Sequence, residues 1–304
     1  MSTPLLSCDR PRFAGAELAL DAFDAEGPLL VLVGAWHPLF QLIAGQQSLR
    51  GGSLRVAGIE AEGAAASGAI GLVLADEPLP LALTLHEALV HSACLLGEAR
   101  RSAAERARST VRELGLVELE SKRLLRASPG ERRAAAIASA VLGEPRALAL
   151  EEPFGGLEPS QQSYVARVLE RALSGRQALV SLPELPASPE QEAIVANAAE
   201  LLFLSASGFV ARGSYAELVA TTRTYRVMVS RAADALVARL GEAGYEVRHV
   251  VPGEVTALWL ADAGGRGTLP VFRAALELDA PIIELLPLGL GAEDRAAPEG
   301  RHGR

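Results

Sequence analysis

The residues with the clearest chemical potential lie in one block, residues 128–159. The block opens at Ser128 with the letters SPGE, and an apolar stretch at 147–150 leads to two adjacent carboxylates, Glu151 and Glu152. The letters GGLEP close it. Carboxylates in this setting could serve phosphoryl transfer, because that reaction depends on positioned groups that neutralise charge. The rest of a phosphate site must then come from another part of the chain.

The loop after the first apolar strand is the place to look for a phosphate cradle. A P-loop, G-x-x-x-x-G-K-[ST], holds phosphates with backbone N–H groups, a lysine and a hydroxyl at the start of a helix. The residues available here are Gly34, Ala35, Trp36, His37 and Pro38. This loop is roughly three residues shorter than the motif and lacks its second glycine, its lysine and its Ser/Thr. The only lysine of the chain is Lys122.

The order of these motifs resembles that in the ATP-binding subunits of ABC transporters. In that family a signature LSGGQ, a helix, an apolar strand ending in DEP and a loop SGLDP follow one another. The corresponding letters here are ASPGE, EEP and GGLEP. The resemblance assigns the signature to Ser128, Gly130 and Glu131, the magnesium-linked Walker B position to Glu151, the water-orienting catalytic position to Glu152, and the D-loop to Gly156 and Glu158.

The resemblance also implies which parts of the machinery are missing. The Q-loop glutamine falls near Ala75, the switch histidine falls at Pro183, and Pro129 takes an N–H from the signature turn. Trp36 falls near the P-loop lysine, where its indole could fill the phosphate cavity or could be an aromatic side chain of the core. Because the Gly, Lys, Gln and His positions fail together, we expect a degenerate pseudo-ATPase in which Glu151 and Glu152 are vestigial.

Short apolar strands alternate with helices through residues 1–220. The predicted strands are 28–34, 53–57, 70–74, 147–150 and 177–181, and the predicted helices include 39–44 and 162–173. This alternation predicts an α/β domain with a largely parallel sheet. From Thr84 to Leu142 the apolar spacing becomes helical. The resemblance implies a P-loop NTPase-like ABC nucleotide-binding domain with a helical subdomain at about 84–142.

A second, complete pattern starts near Thr221. Strands at 225–229, 245–251, 255–260 and 282–286, with helices at 232–243 and 269–278, give the order βαββαβ. This order predicts a small α+β ferredoxin-like unit over residues 221–289. The unit resembles the extension on ATPases of ABC-2 type exporters. Residues 290–304 have little apolar content and are predicted to form a disordered tail.

Composition narrows the class of protein and its location. The chain has 304 residues, 49% of them apolar, and a net charge of −8, which argues against a nucleic-acid binder. Cys8 and Cys94 stand far apart, and the histidines show no ligand spacing, so neither a disulfide framework nor a metal site is expected. Without a signal peptide or an apolar run of membrane-spanning length, we expect a cytoplasmic chain that docks on the inner face of the membrane through a partner.

Three functions are compatible with the sequence. The favoured one is a non-catalytic ABC subunit that binds no nucleotide in its own P-loop. It would pair with a catalytically competent ABC ATPase subunit and use Ser128 and Gly130 to clamp the ATP and magnesium of that partner. The pair would drive an ABC-2 type membrane permease through a groove beside residues 70–90. The alternative is a scaffold or regulator on the same fold that binds no nucleotide, and an active ATPase is the least favoured.

Overall fold

The computed structural model describes residues 3–288, except for 16–17, 19, 77, 185, 187, 206–207, 215–223, 252–255 and 262–268. The chain divides into two compact units, residues 1–211 and 212–304. The domain boundary predicted at 220–221 and the predicted tail at 290–304 both lie outside the described residues.

The first unit is built on a six-stranded sheet. Across the sheet the strands are β10 (Gly208–Gly213), β9 (Glu200–Ser205), β3 (Leu29–Gly34), β8 (Gln177–Leu182), β7 (Ala147–Leu150) and β6 (Ile70–Val73). From β9 to β6 all neighbours pair in parallel, which confirms the predicted α/β core. Such strands are buried on both faces, and all four residues of β7 are buried. The carboxyl ends of β3, β8 and β7 therefore share one edge, where open α/β sheets bind ligands.

A smaller antiparallel sheet accompanies the first, with the strand order β2 (Phe23–Ala25), β1 (Leu6–Phe13), β4 (Leu49–Val56) and β5 (Ile59–Glu60). The sequence did not predict β1 or β2. Asp9, Arg10 and Pro11 interrupt the apolar pattern of β1, and its pairing with β4 has an irregularity between Asp9 and Arg12. The strand therefore lacks the strict alternation by which a half-buried strand is recognised.

The helices of the first unit are α1 (His37–Ile43), α2 (Leu85–Leu95), α3 (Arg100–Leu114), α4 (Pro129–Val141), α5 (Pro159–Leu173) and α6 (Pro189–Ala196). The segment from 84 to 142 is helical as predicted, with short 3-10 turns at Val117–Leu119 and Leu124–Arg126. Its last helix, α4, lies directly on strand β6. A Cβ on Gly71 would stand 2.2 Å from the Ala140 carbonyl oxygen, so only glycine permits this approach.

The second unit has the predicted order, β11 (Thr224–Val229), α7 (Ala233–Glu242), β12 (Glu246–Val251), β13 (Thr256–Ala261), α8 (Leu269–Glu277) and β14 (Ile282–Leu288). Its sheet runs β12-β13-β11-β14, and every neighbouring pair is antiparallel. Val227, Leu236, Leu258 and Val271 are fully buried in its core. This pairing is that of a ferredoxin-like unit.

Candidate functional site

Strand β3 passes into helix α1 through a very short turn. Only Ala35 and Trp36 separate the last residue of the strand from the first residue of the helix. Gly34 has a φ of +97°, and a Cβ at this position would stand 2.1 Å from the Leu204 carbonyl oxygen. That same oxygen accepts the Ala35 N–H at 2.9 Å. The turn is thus held against β9 by its own backbone, and its N–H groups do not form an open cradle.

The indole of Trp36 is part of the hydrophobic core. The residue is 1% exposed and belongs to the same apolar cluster as Leu39, Phe40 and Leu202. Its Nε1 donates to the Leu202 carbonyl oxygen at 3.1 Å. Of the two interpretations of Trp36 given by the sequence, the geometry favours the core aromatic. The backbone of Trp36 belongs to the turn, but its side chain is buried in the core.

Glu151 is buried at the end of β7, and both of its carboxylate oxygens are engaged. Its side chain is 3% exposed. His37 Nδ1 lies 2.5 Å from Oε1, and the Ala75 N–H donates to Oε2 at 3.0 Å. His37 is the first residue of α1, where Pro38 occupies the first turn. His37 and the Ala75 N–H thus each occupy a hydrogen-bonding position on one oxygen of this carboxylate.

Glu152 has an unusual backbone conformation next to that carboxylate. Its φ is +41°, its N–H donates to Ser181 Oγ at 3.0 Å, and its carbonyl oxygen accepts the Gly155 N–H at 2.8 Å. Burial raises the pKa of Glu152, and the neighbouring charge of Glu151 adds to the rise. A carboxyl group with a raised pKa is a candidate acid or base. It is the one chemical feature of this edge that a catalytic site would share.

The segment after β6 contributes backbone atoms to the edge. Arg133, on α4, donates from Nη1 to the Leu74 carbonyl and from Nη2 to the Ala75 carbonyl, both at 2.8 Å. Ala75, which stands at the Q-loop position, is therefore pinned from one side by a guanidinium and bonded from the other to Glu151. Pro183, at the switch position, directly follows β8 and has no side-chain group to donate.

The signature residues form a second cluster at the start of α4. Ser128 is the N-cap, with its Oγ accepting the Glu131 N–H at 3.2 Å while the Ser128 N–H donates to Glu131 Oε2 at 2.7 Å. Lys122 Nζ lies 2.7 and 2.9 Å from the two oxygens of the same carboxylate. Burial acts to raise the pKa of Glu131, but the hydrogen bonds from Lys122 and Ser128 outweigh it and the pKa is lowered. The only lysine of the chain thus serves this cap.

Proline and glycine positions shape the signature and the D-loop. Pro129 is in the first turn of α4, where its missing N–H would have no partner within the helix, so the expected damage to the turn is small. A Cβ on Gly130 would stand 3.0 Å from the Gln161 Cβ, so α4 and α5 meet closely here. Gly156 has a φ of +68°, and Glu158 is the N-cap residue of α5 without a side-chain cap bond.

Comparison with known proteins shows what this arrangement is similar to. A family model described as "ABC transporter" matches residues 38–155. The taurine import ATP-binding protein TauB of Escherichia coli strain K12 is 28% identical over 202 residues, which are 64% of this chain and 74% of TauB. TauB of Escherichia coli O157:H7 is 29% identical over 185 residues, which are 59% of this chain and 69% of that protein.

A solved structure agrees with these matches. The ATP-binding cassette MJ1267 of an ABC transporter, in its ADP conformation, covers 71% of this chain and 93% of its own chain, with a TM-score of 0.56 and 19% identity. Residues 38–155 thus resemble the ABC transporter family, and the chain has the fold of an ATP-binding cassette. The match to the ABC family model begins at Pro38, so it includes the signature residues and the two carboxylates but starts after Gly34, Ala35, Trp36 and His37.

The sequence missed two contacts that organise this edge of the sheet. It did not predict that His37 would reach Glu151, or that Arg133 would hold the backbone at Ala75. The first contact had a signal, because His37 and Glu151 each follow a parallel strand and such strand ends meet at one edge. The second had none, since the sequence does not indicate which acceptor an arginine on a helix will reach.

Within the described residues, no group of three or more His, Cys, Asp or Glu side chains is arranged to hold a metal ion. None of the described helices combines the length and the apolar character that a bilayer crossing requires.

Proposed function

We propose that this chain is a non-catalytic ABC subunit that pairs with a catalytically competent ABC ATPase and helps to clamp the ATP of that partner. One observation carries the proposal. One oxygen of the Glu151 carboxylate, which would hold magnesium, contacts His37, and the other accepts the Ala75 N–H. The turn between β3 and α1, where a triphosphate cradle is needed, has only two residues. We infer that the chain binds no nucleotide or magnesium in its own P-loop, and we derive no hydrolytic step through them.

The signature side of the domain supports the pairing. Ser128 caps an intact helix α4, and the positive end of a helix dipole attracts phosphate. Gly130 is retained. The ATP and magnesium would then belong to the site of the partner subunit, with this chain supplying the covering surface.

The membrane partner is proposed to be a permease. A groove of about 500 Å³ lies between the segment after β6, helix α4 and the D-loop. Its lining includes Ala75, Asp76 and Pro78, which fall within the range 70–90 beside which the sequence predicted a groove. It presents apolar side chains beside two guanidinium groups, as a docking surface would. Its lining includes Leu79, Leu81, Pro129, Arg132, Arg133 and Leu157.

The direction of transport has two candidates. The ferredoxin-like second unit resembles the extension of ABC-2 type exporters, so an ABC-2 type membrane permease is our first proposal. The relatives named above are import proteins, and that observation favours an importer. Either assignment places the chain on the cytoplasmic face of the cell membrane through its permease.

A specific observation also favours the alternative of a scaffold that binds no nucleotide. The Glu131 carboxylate sits at the N-terminus of α4, where the phosphate of a partner would approach. Lys122 neutralises it, but a phosphate would still face a carboxylate at that point. A scaffold would need only the fold and the surface that pairs with the partner, so the charge of Glu131 would not affect its function.

The clamp and the scaffold predict different effects of a substitution at Ser128. In a complex copurified with the tagged chain from its host cells, Ser128→Asp keeps a good helix cap and adds a negative charge towards the phosphate of the partner. We expect ATP turnover by the complex to fall about 10-fold or more, because like charges placed together cost several kcal/mol. Ser128→Asn, the matched neutral cap, should retain most of the turnover. If the complex with Ser128→Asp retains as much ATP turnover as the complex with Ser128→Asn, the clamp is rejected and the scaffold is favoured.

A further inference from the structure

A cleft outside the clusters described above lies between helix α5 and the 3-10 turn Val117–Leu119. Its volume is about 350 Å³, within the range of small-molecule sites. The end of α3 closes one side of it. The lining residues are Leu114, Gly115, Val117, Glu118, Tyr164, Arg167, Val168 and Arg171.

One wall of the cleft is a row of donors on α5. Tyr164, Arg167 and Arg171 are spaced three and four residues apart, so they lie on one face of the helix. Arg171 is fixed, because its Nη1 donates to the Leu114 carbonyl oxygen at 2.9 Å. Gly115 makes room for it, since a Cβ there would stand 1.5 Å from the same nitrogen. The wall is therefore shaped by packing and by the C-terminus of α3.

The charges in the cleft are opposite but do not meet. Glu118 and Arg167 both line it, yet within the described part of the chain neither side chain takes part in a hydrogen bond or an ion pair. In contrast, the nearby Arg176 is paired with Glu113 at 2.6 Å. Two unpaired, opposite charges that face one cavity leave space for a ligand that carries both complementary charges.

The other lining residues indicate which further groups a ligand of this cleft would carry. Leu114, Val117 and Val168 provide apolar surface, and Val117 is 58% exposed. Burial raises the pKa of Tyr164, and the charge of Glu131 adds to this, so the phenol keeps its proton and can donate. The cleft thus offers two hydrogen-bond donors, Arg167 and Tyr164, beside an acceptor, Glu118, and an apolar surface.

We propose that this cleft binds a small zwitterion with an apolar side chain, of the amino-acid class. The carboxylate would lie between Arg167 and the Tyr164 hydroxyl, the ammonium group at Glu118, and the apolar side chain on Val117 and Val168. The ligand would bridge α5 of the core to the helical segment, so its binding would stiffen their connection. This assignment does not depend on the proposed transport function.

The test is calorimetric titration of the full chain with leucine, methionine and phenylalanine up to about 10 mM, which detects a millimolar Kd. We expect saturable binding of at least one of them. Its amide, which lacks the carboxylate, and the corresponding des-amino acid should each bind about 10-fold more weakly or not at all, because each loses a charge-assisted hydrogen bond.

Variants locate the site and exclude misfolding as the cause. Arg167→Gln and Glu118→Gln should each weaken binding about 10-fold, while Arg108→Gln, an exposed arginine on α3 outside the cleft, should leave it unchanged. All three positions are exposed, so the thermal unfolding of the variants should match that of the parent. The proposal is wrong if none of the three amino acids binds, or if binding survives both glutamine substitutions in the cleft.

Discussion

Trp36→Ala is expected to lower the free energy of unfolding of the first unit by about 3–5 kcal/mol. The indole is 1% exposed, so alanine leaves a cavity in the apolar cluster around α1. The substitution also removes the Nε1 donor from the Leu202 carbonyl oxygen. Urea unfolding followed by circular dichroism measures the change.

Trp36→Phe is the matched control for this variant. It keeps most of the ring and loses the hydrogen bond, so a smaller cost of about 1–2 kcal/mol is expected. The alanine variant should also fail to bind ATP. If it instead unfolds like the parent and gains saturable ATP binding, the indole fills a nucleotide cavity, and the core assignment is wrong.

His37→Ala is expected to cost about 1–3 kcal/mol, because it leaves one oxygen of a buried carboxylate without a partner. The Glu151 side chain is 3% exposed and would keep only the Ala75 N–H. The cost should disappear in a Glu151→Ala background, where the same histidine substitution should change the free energy of unfolding by less than about 0.5 kcal/mol. Chemical unfolding of the four proteins in this cycle gives the coupling energy.

His91→Ala is the control for the loss of an imidazole. His91 is exposed on α2, so its substitution should stay within about 0.5 kcal/mol of the parent. If His37→Ala costs the same with and without the Glu151 carboxylate, then the 2.5 Å contact does not close the site. The edge would then remain open to a metal ion.

Much of the fold could be predicted because strong local patterns coincide with its elements. The letters ALAL at 147–150 form a strand buried throughout, and the six elements of the second unit occur in the predicted order. Strand β1 could not be predicted, since its pairing with β4 is a long-range contact that tolerates Asp9, Arg10 and Pro11. Helix α6 has an apolar pattern too weak to stand out within residues 183–200.

The candidate site was predicted less completely than the fold, for a physical reason. The residue types showed which groups of a phosphate site are absent from this loop, because a missing lysine or glycine is evident from the sequence. What replaces those groups is decided by side-chain packing, as in the contact of His37 with Glu151 and the burial of Trp36. The contact of Lys122 with Glu131 is likewise a matter of packing, since it joins the loop before α4 to the first turn of that helix.

Nucleotide binding and hydrolysis by the purified chain test the central claim most directly. Calorimetric titration with ATP and magnesium, run beside an assay of phosphate release, should show no saturable binding at about millimolar nucleotide and no turnover. That result would agree with a turn of two residues and a carboxylate closed by His37. Saturable binding with turnover that Glu152→Gln abolishes would contradict the account, because this chain would then be an ATPase in its own right.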